Sequence, residues 1–478
     1  MTSDTTGKHR NFDKQRDLPD EVRVENAMAG FIAEFGPRAQ SWMNACVRCG
    51  LCAEACHFYL ATGEEKYTPI HKIKPFEDAY ALTHGPFSWL HGLLGRKPKL
   101  TIEELEEWEE LIYDSCNMCG RCTLACPMGI DIASLVKDAR RGMYAAGLLP
   151  DRLARIVRNA EKQHSPFGSP EDFRKTIGEI EKEYGIPLPL DKPKADVLMT
   201  LTPEALENRH FGVASMARVL HHLGLDWTFC SDAFEATNFG YLSGNMELQG
   251  ALTVRLIDKA REIGASMLIV PECGHAWGAT RWEAAKWYGA PVDDIRIRHI
   301  VEVLADAVED GKLECRPVGE SATFHDPCQQ IRRGGLEEKP RILMRALGME
   351  LREMDPHGLD AFCCGGGGGV LANERAGPLR LKAFELKKRA VEETGADHFV
   401  TSCNICEMTL GRDIEATGFD KQIESLIDLI GANMITDQPP LKAPGRGAKP
   451  KGAGKRAAGA KKAGKGRSAT RRKPAAKK

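Results

Sequence analysis

Two short cysteine runs constrain this chain more than anything else in it. Cys46-Val47-Arg48-Cys49-Gly50-Leu51-Cys52-Ala53-Glu54-Ala55-Cys56 and Cys116-Asn117-Met118-Cys119-Gly120-Arg121-Cys122-Thr123-Leu124-Ala125-Cys126 both read C-x2-C-x2-C-x3-C, and Pro127 follows the second. At this spacing three thiolates wrap one cubane [4Fe–4S] cluster, while the fourth, on the following helix, reaches a neighbouring cluster. The spacing predicts Cys46, Cys49, Cys52 and Cys126 on one cubane and Cys116, Cys119, Cys122 and Cys56 on the other. Zinc fits less well, because zinc sites take four ligands from paired C-x2-C elements, whereas each run here places three on one turn. His57 stands where simpler ferredoxins have proline, either tuning a cluster through a hydrogen bond to sulfur or simply packing.

A second constellation lies downstream: Cys328, the pair Cys363-Cys364 followed by Gly365 to Gly369, then Cys403 and Cys406. Five thiolates exceed what a zinc ion or a cubane needs, so a larger cluster with inequivalent irons is expected. The glycines would let the backbone approach it closely and donate N–H groups to its sulfurs. There are sixteen cysteines, and the first thirty residues are polar with no apolar h-region. A cytoplasmic location follows as the expectation, with reduced thiols and metal ligation in place of a disulfide framework.

At 478 residues several domains are expected. Residues 1–20 read as disordered and 21–150 as a helical ferredoxin-like domain, in which Ile102 to Tyr113 forms one charged amphipathic helix. Residues 151–190 read as a helical linker. Two similar α/β units follow, over 191–318 and 319–437. Strands are expected at Val197–Leu201, Trp227–Phe229 and Met267–Val270, then at Ala322–Phe324, Glu350–Met354 and His398–Thr401. Helices alternate with them at Phe211–Leu223, Leu248–Ile263, Arg341–Leu347 and Leu379–Thr394. In each unit cysteines sit just past strand ends, where α/β sheets build sites. Residues 438–478 read as a disordered tail, and fifteen Lys/Arg with no acid lie between 442 and 478. The fold class is thus α+β multidomain: a helical two-cluster domain, a duplicated α/β domain and a basic tail.

The five-cysteine pattern with its glycine run resembles the CCG domain of heterodisulfide reductases. The order of parts resembles the D-type subunit of heterodisulfide reductase and the DsrK subunit of a sulfite-reduction-associated membrane complex. Cys56-His57-Phe58-Tyr59 and Pro271-Glu272-Cys273-Gly274-His275 look like the second of these. The resemblance covers about residues 40–435 and implies a noncubane [4Fe–4S] cluster on Cys328, Cys363, Cys364, Cys403 and Cys406, with catalysis there. It further implies a haem b membrane subunit that oxidises quinol, a disulfide substrate or sulfur-carrier protein, and a place at the inner face of the membrane. The activity implied is that of an oxidoreductase acting on sulfur groups. An alternative with the same module order is a passive iron–sulfur subunit of a flavoprotein dehydrogenase, of the glycolate oxidase or anaerobic glycerol-3-phosphate dehydrogenase type.

The first α/β unit departs from the full pattern. It has Cys230-Ser231-Asp232 and Cys273-Gly274-His275-Ala276, and no cysteine near Thr202, so one noncubane cluster is expected and not two. Cys230, Cys273 and His275 are read as facing the third cluster across a pseudo-twofold, with His275 shuttling protons helped by Glu272, or as structural. Cys315 reads as a buried thiol. No nucleotide or flavin motif is present. The tail is expected to engage an anionic membrane or an acidic partner, without specific nucleic-acid binding.

Overall fold

The computed structural model describes residues 12–33, 37–85, 88–95, 100–271 and 274–441. The helical domain is organised on the helix Ile132–Ala145, which Asp131 caps by accepting the Ser134 N–H at 3.1 Å. Its apolar positions Leu135, Val136, Ala139 and Met143 are buried, and Asp20–Ile32 crosses it so closely that a Cβ on Gly30 would sit 2.8 Å from the Arg141 carbonyl oxygen. The N-terminal segment read as disordered is partly built into this core. Phe12–Arg16 is a helix whose Phe12 is fully buried, 5.7 Å from the Tyr144 ring, and Arg158 pairs with Asp13 at 2.5 Å.

The helix expected over Ile102 to Tyr113 changes character part-way. It is α-helical from Ile102 to Glu109 and then widens into a π turn over Glu110–Asp114, a form concentrated at functional sites. Local periodicity cannot reveal the change. The π turn buries Leu111, Ile112, Tyr113 and Asp114, and it offers the Ile112 carbonyl sideways to Arg140 at 3.1 Å.

Beyond the helical domain lie two four-stranded parallel sheets of identical order. The first comprises β1 (Val197–Met199), β2 (Trp227–Thr228), β3 (Met267–Val270) and β4 (Arg296–His299), in the order β2-β1-β3-β4. The second comprises β5 (Ser321–His325), β6 (Glu350–Leu351), β7 (His398–Thr401) and β8 (Ile423–Ser425), in the order β6-β5-β7-β8. The central strands are continuously buried, as both-face coverage requires. Strands β4 and β8 are absent from the sequence reading. Each is a short polar edge strand whose identity comes from pairing with β3 or β7, not from its own pattern.

Residues 151–190, read as a linker, form packed helices over Asp151–Gln163 and Pro170–Tyr184. Ser169 and Asp172 make a capping box at the second, which buries Phe173, Ile177 and Ile180 against the first sheet, with Phe173 stacked on Phe234 at 4.0 Å. The two α/β units share one core. Val213 and Val219 of the helix His210–His222 join Ile427 and Ile430 of Leu426–Asn433, and Val301 and Leu304 of Ile300–Glu309 join Leu343 and Met344 of Glu338–Ala346. Burying each such side chain contributes roughly 1.5–3 kcal/mol. The packed body continues into the segment read as tail, since Arg218 and Gln438 exchange hydrogen bonds at 3.1 and 3.2 Å. The basic residues 442–478 lie outside the described residues.

Candidate iron–sulfur centres

The two cysteine runs have the same backbone. Arg48 and Met118 lie in the left-handed region (φ 55° and 51°), as do Gly50 and Gly120 (84° and 77°). For a residue with a Cβ this costs about 1 kcal/mol or more, and surrounding structure must hold it. Each turn bends three cysteines around one point, and the short helices Leu51–Glu54 and Arg121–Leu124 then carry Cys56 and Cys126 across. Cys46, Cys49, Cys52 and Cys126 line a cavity of about 530 Å³, ample for a cubane. Cys56, Cys116, Cys119 and Cys122 line a second cavity with His57 and Lys72. Burial pushes the Cys52 and Cys122 thiols up. The first centre is the outer one, with Cys49 exposed and Val47, Leu51 and Met128 exposed around it.

The five downstream cysteines converge at the carboxyl ends of β5 and β7. Those strands are where the second sheet reverses its order, the position at which open α/β sheets hold ligands. All five are buried. Cys328 Sγ lies 3.9 Å from Cys363 Sγ, Cys363 also contacts Cys364, and Cys406 contacts Cys364 and Cys403. Lys387, buried among Cys363, Cys364 and Cys406, has its ammonium lowered to about 8 by that burial. One such cation cannot balance five buried thiolates, so the donor set fits iron, whose charge would compensate them.

The glycine loop serves a role other than the one read from sequence. A Cβ on Gly368 would lie 2.9 Å from the Asn117 carbonyl carbon, one on Gly367 2.9 Å from His275 Cε1, and one on Gly366 would overlap Thr409. The run lets the second cubane motif and His275 press onto the five-cysteine site. Asn117 Nδ2 donates to the Gly365 and Gly367 carbonyls at 2.8 and 3.0 Å. Gln329 Nε2 donates to the Met118 carbonyl at 2.8 Å, and Arg332 Nη1 to that of Cys119 at 3.2 Å. Arg140, fully buried, donates to the carbonyls of Cys116 at 2.8 Å, Leu242 at 2.8 Å and Gly368 at 2.5 Å, tying all three parts of the chain together. Within this junction the Cys119 thiol faces Cys363 directly.

Residues 42–130 match the 4Fe-4S dicluster domain family and residues 322–411 the cysteine-rich (CCG) domain family. The iron–sulfur subunit 2 of the Hdr-like menaquinol oxidoreductase of Archaeoglobus fulgidus is 26% identical, covering 88% of this chain and 86% of its own. The D-type subunit of the dihydromethanophenazine:CoB–CoM heterodisulfide reductase of Methanosarcina barkeri is 24% identical over 81% of this chain and 93% of its own. The chain is a homologue of these two subunits. The EtfAB:quinone oxidoreductase of Syntrophomonas wolfei is 25% identical over 80% of this chain and 57% of its own.

The remaining residues singled out by sequence divide sharply. His275 is buried with its ring against Gly367; burial lowers its pKa to about 4, and Nε2 has no hydrogen-bond partner among the described residues. Burial thus favours its neutral imidazole form. His57 is likewise buried and lowered to about 4, beside Cys119 and Cys364. Cys230 sits instead in the core of the first sheet with Leu198, Ala233 and Leu256, and burial raises it to about 12. Glu272 and Cys273 lie outside the described residues. Cys315 is partly buried and raised to about 11 by desolvation. Asn117, Arg140, Gln329 and Lys387 were missed. The only local signal was an arginine pair, Arg140 and Arg141, on the buried face of a helix.

Proposed function

We propose that this protein is the iron–sulfur subunit of a membrane-associated, heterodisulfide reductase-like oxidoreductase that reduces or forms a disulfide at the five-cysteine site. The observation that carries the reading is the contact of Cys363 with both Cys119 and Cys328, which puts the second cubane set against the third set with no intervening residue. Two cubanes and one noncubane cluster, when bound, supply single-electron transfer and an iron able to take a substrate sulfur. Cys46, Cys49, Cys52 and Cys126 hold the outer cubane. Cys116, Cys119, Cys122 and Cys56 hold the inner one, and Cys328, Cys363, Cys364, Cys403 and Cys406 the third. Reducing one disulfide to two thiols takes two electrons and two protons.

The similarity to a menaquinol oxidoreductase subunit supports a quinol-oxidising partner, which we take to be a haem b membrane subunit. The substrate is a small disulfide or a sulfur-carrier protein, the location is the cytoplasmic face of the membrane, and the basic tail adds salt-sensitive attraction to anionic lipid. No helix of the described residues is long and apolar enough to cross a membrane. The test is anaerobic purification with iron analysis and electron paramagnetic resonance. About twelve irons per chain are expected, four in each of three clusters. Adding a thiol under oxidising conditions should produce a paramagnetic species that Cys364→Ala and Cys403→Ala abolish, while the cubane signals remain. Persistence of that species in both variants, or co-purification with FAD in place of haem b, favours the flavoprotein-linked alternative.

A further inference from the structure

Among the five cysteines stands a sixth potential donor, a histidine whose polar neighbour is the Cys364 thiol. His325 is the last residue of β5, paired in register with Thr401 of β7, so it borders the same sheet reversal that Cys328 and Cys403 border. It is 0% exposed, and neither Nδ1 nor Nε2 makes a well-formed hydrogen bond among the described residues, the one polar contact of the ring being the Cys364 thiol. One ring nitrogen, Cys364 Sγ and Cys406 Sγ all lie within 4.8 Å of one another.

A buried polar atom without a well-formed hydrogen bond is costly, and an imidazole has two such nitrogens to satisfy. His299 and Trp277 also bury bare nitrogens, but against apolar and aromatic neighbours. His325 differs in facing two thiols of a candidate metal site. Metal–thiolate and metal–imidazole bonds of about 2.3 and 2.1 Å put neighbouring donor atoms of a tetrahedral ion about 3.6 Å apart. The three atoms therefore need only a small inward movement to share one iron.

We infer that His325 is a sixth protein ligand of the third cluster, binding through a ring nitrogen the iron that Cys364 and Cys406 also hold. The inference rests on the five-cysteine cluster proposed above. Imidazole is neutral where thiolate is anionic, so His325 adds a donor to this iron without the negative charge that a further thiolate would bring. In Rieske centres the same exchange of thiolate for imidazole raises the potential. His325 would thus distinguish one iron of the cluster from the rest and favour its reduced form. The alternative within the same geometry is a hydrogen bond from the ring N–H to the Cys364 sulfur, which leaves the nitrogen outside the iron's coordination shell.

The experiment uses full-length holoprotein carrying ¹⁵N-histidine, purified anaerobically and poised in the paramagnetic state of the third cluster, with electron–nuclear double resonance as the readout. A strongly coupled histidine nitrogen is expected, lost in both His325→Gln and His325→Cys. His325→Cys should keep about twelve irons and shift the third-cluster potential downward, because it returns a thiolate to that iron. Absence of strong nitrogen coupling in the wild-type protein, or its survival in either variant, overturns the inference. If His325→Gln fails to fold, the wild-type spectrum and His325→Cys still decide. Wild-type iron near eight would remove the third cluster and this ligand with it, whereas three clusters without nitrogen coupling would remove the ligand alone.

Discussion

Asn117 donates both protons of its side-chain amide to the glycine loop that follows Cys364, one to the Gly365 carbonyl at 2.8 Å and one to the Gly367 carbonyl at 3.0 Å. It is the residue directly after Cys116, so the second cubane motif holds the loop of the third site in register. Asp114 reinforces this from the end of the π turn by pairing with Arg375 at 3.1 Å and accepting from Asn373. The second cysteine run and the five-cysteine site form one structural unit.

Asn117→Asp should uncouple that unit. A carboxylate cannot donate, so two buried carbonyls lose their partners and face a negative charge, a loss of about 2–4 kcal/mol. Iron is expected to fall from about twelve toward eight, with the thiol-dependent resonance lost and both cubane signals kept. Gly368→Ala should act alike, since its φ is +64° and its Cβ would meet the Asn117 backbone.

Arg140→Leu should be more damaging than any single loop change. It strands the carbonyls of Ile112, Cys116, Leu242 and Gly368 in a buried space that five hydrogen bonds now satisfy. The expected cost is about 3–5 kcal/mol or more. Arg140→Lys, which has three donors and no planar fork, should recover only part of the lost thermal midpoint.

The crosswise fourth ligands can be separated by single substitutions. Cys126→Ala should abolish the signal of the outer cubane, because Cys126 shares its cavity with Cys46, Cys49 and Cys52, while Cys56→Ala should affect the inner one. Each variant should retain about eight irons, and redox titration followed by electron paramagnetic resonance identifies the missing centre.

Glu235 makes stability depend on pH. Its carboxyl is buried, with Oε1 accepting the Thr237 N–H at 2.6 Å and Oε2 unpartnered among the described residues; burial raises its pKa to about 8. The folded state therefore binds a proton that the unfolded state releases near the ordinary glutamate value of 4.5. Stability should fall as pH rises between those two values, and level off above about 8. Glu235→Gln should flatten that slope in denaturant titrations run across the range.

Much of the chemistry was legible from residue order, because a cluster motif is local. The spacing of Cys46 to Cys56 and of Cys116 to Cys126 limits which thiols can reach one point, and five cysteines with a glycine run demand a site larger than a cubane. The four long α/β helices and the central strands could also be read, since their apolar patterns span enough residues to be periodic. What needed the tertiary structure depends on contacts between residues far apart in the chain. Asn117 and Gly365 are 248 positions apart, and Arg140 and Gly368 are 228 apart. No local pattern tells which residue each partner meets. The strands β4 and β8, and the packing of the helix Pro170–Tyr184 within the segment read as a helical linker, were hidden for the same reason, being defined by what they lie against. Sequence alone determined the two cysteine runs and the five-cysteine set with its glycine run, because their spacing is local. The packing of two sheets against a helical domain decided that Cys119 meets Cys363 and that His325 turns inward between Cys364 and Cys406, because burial and strand reversal bring those atoms together.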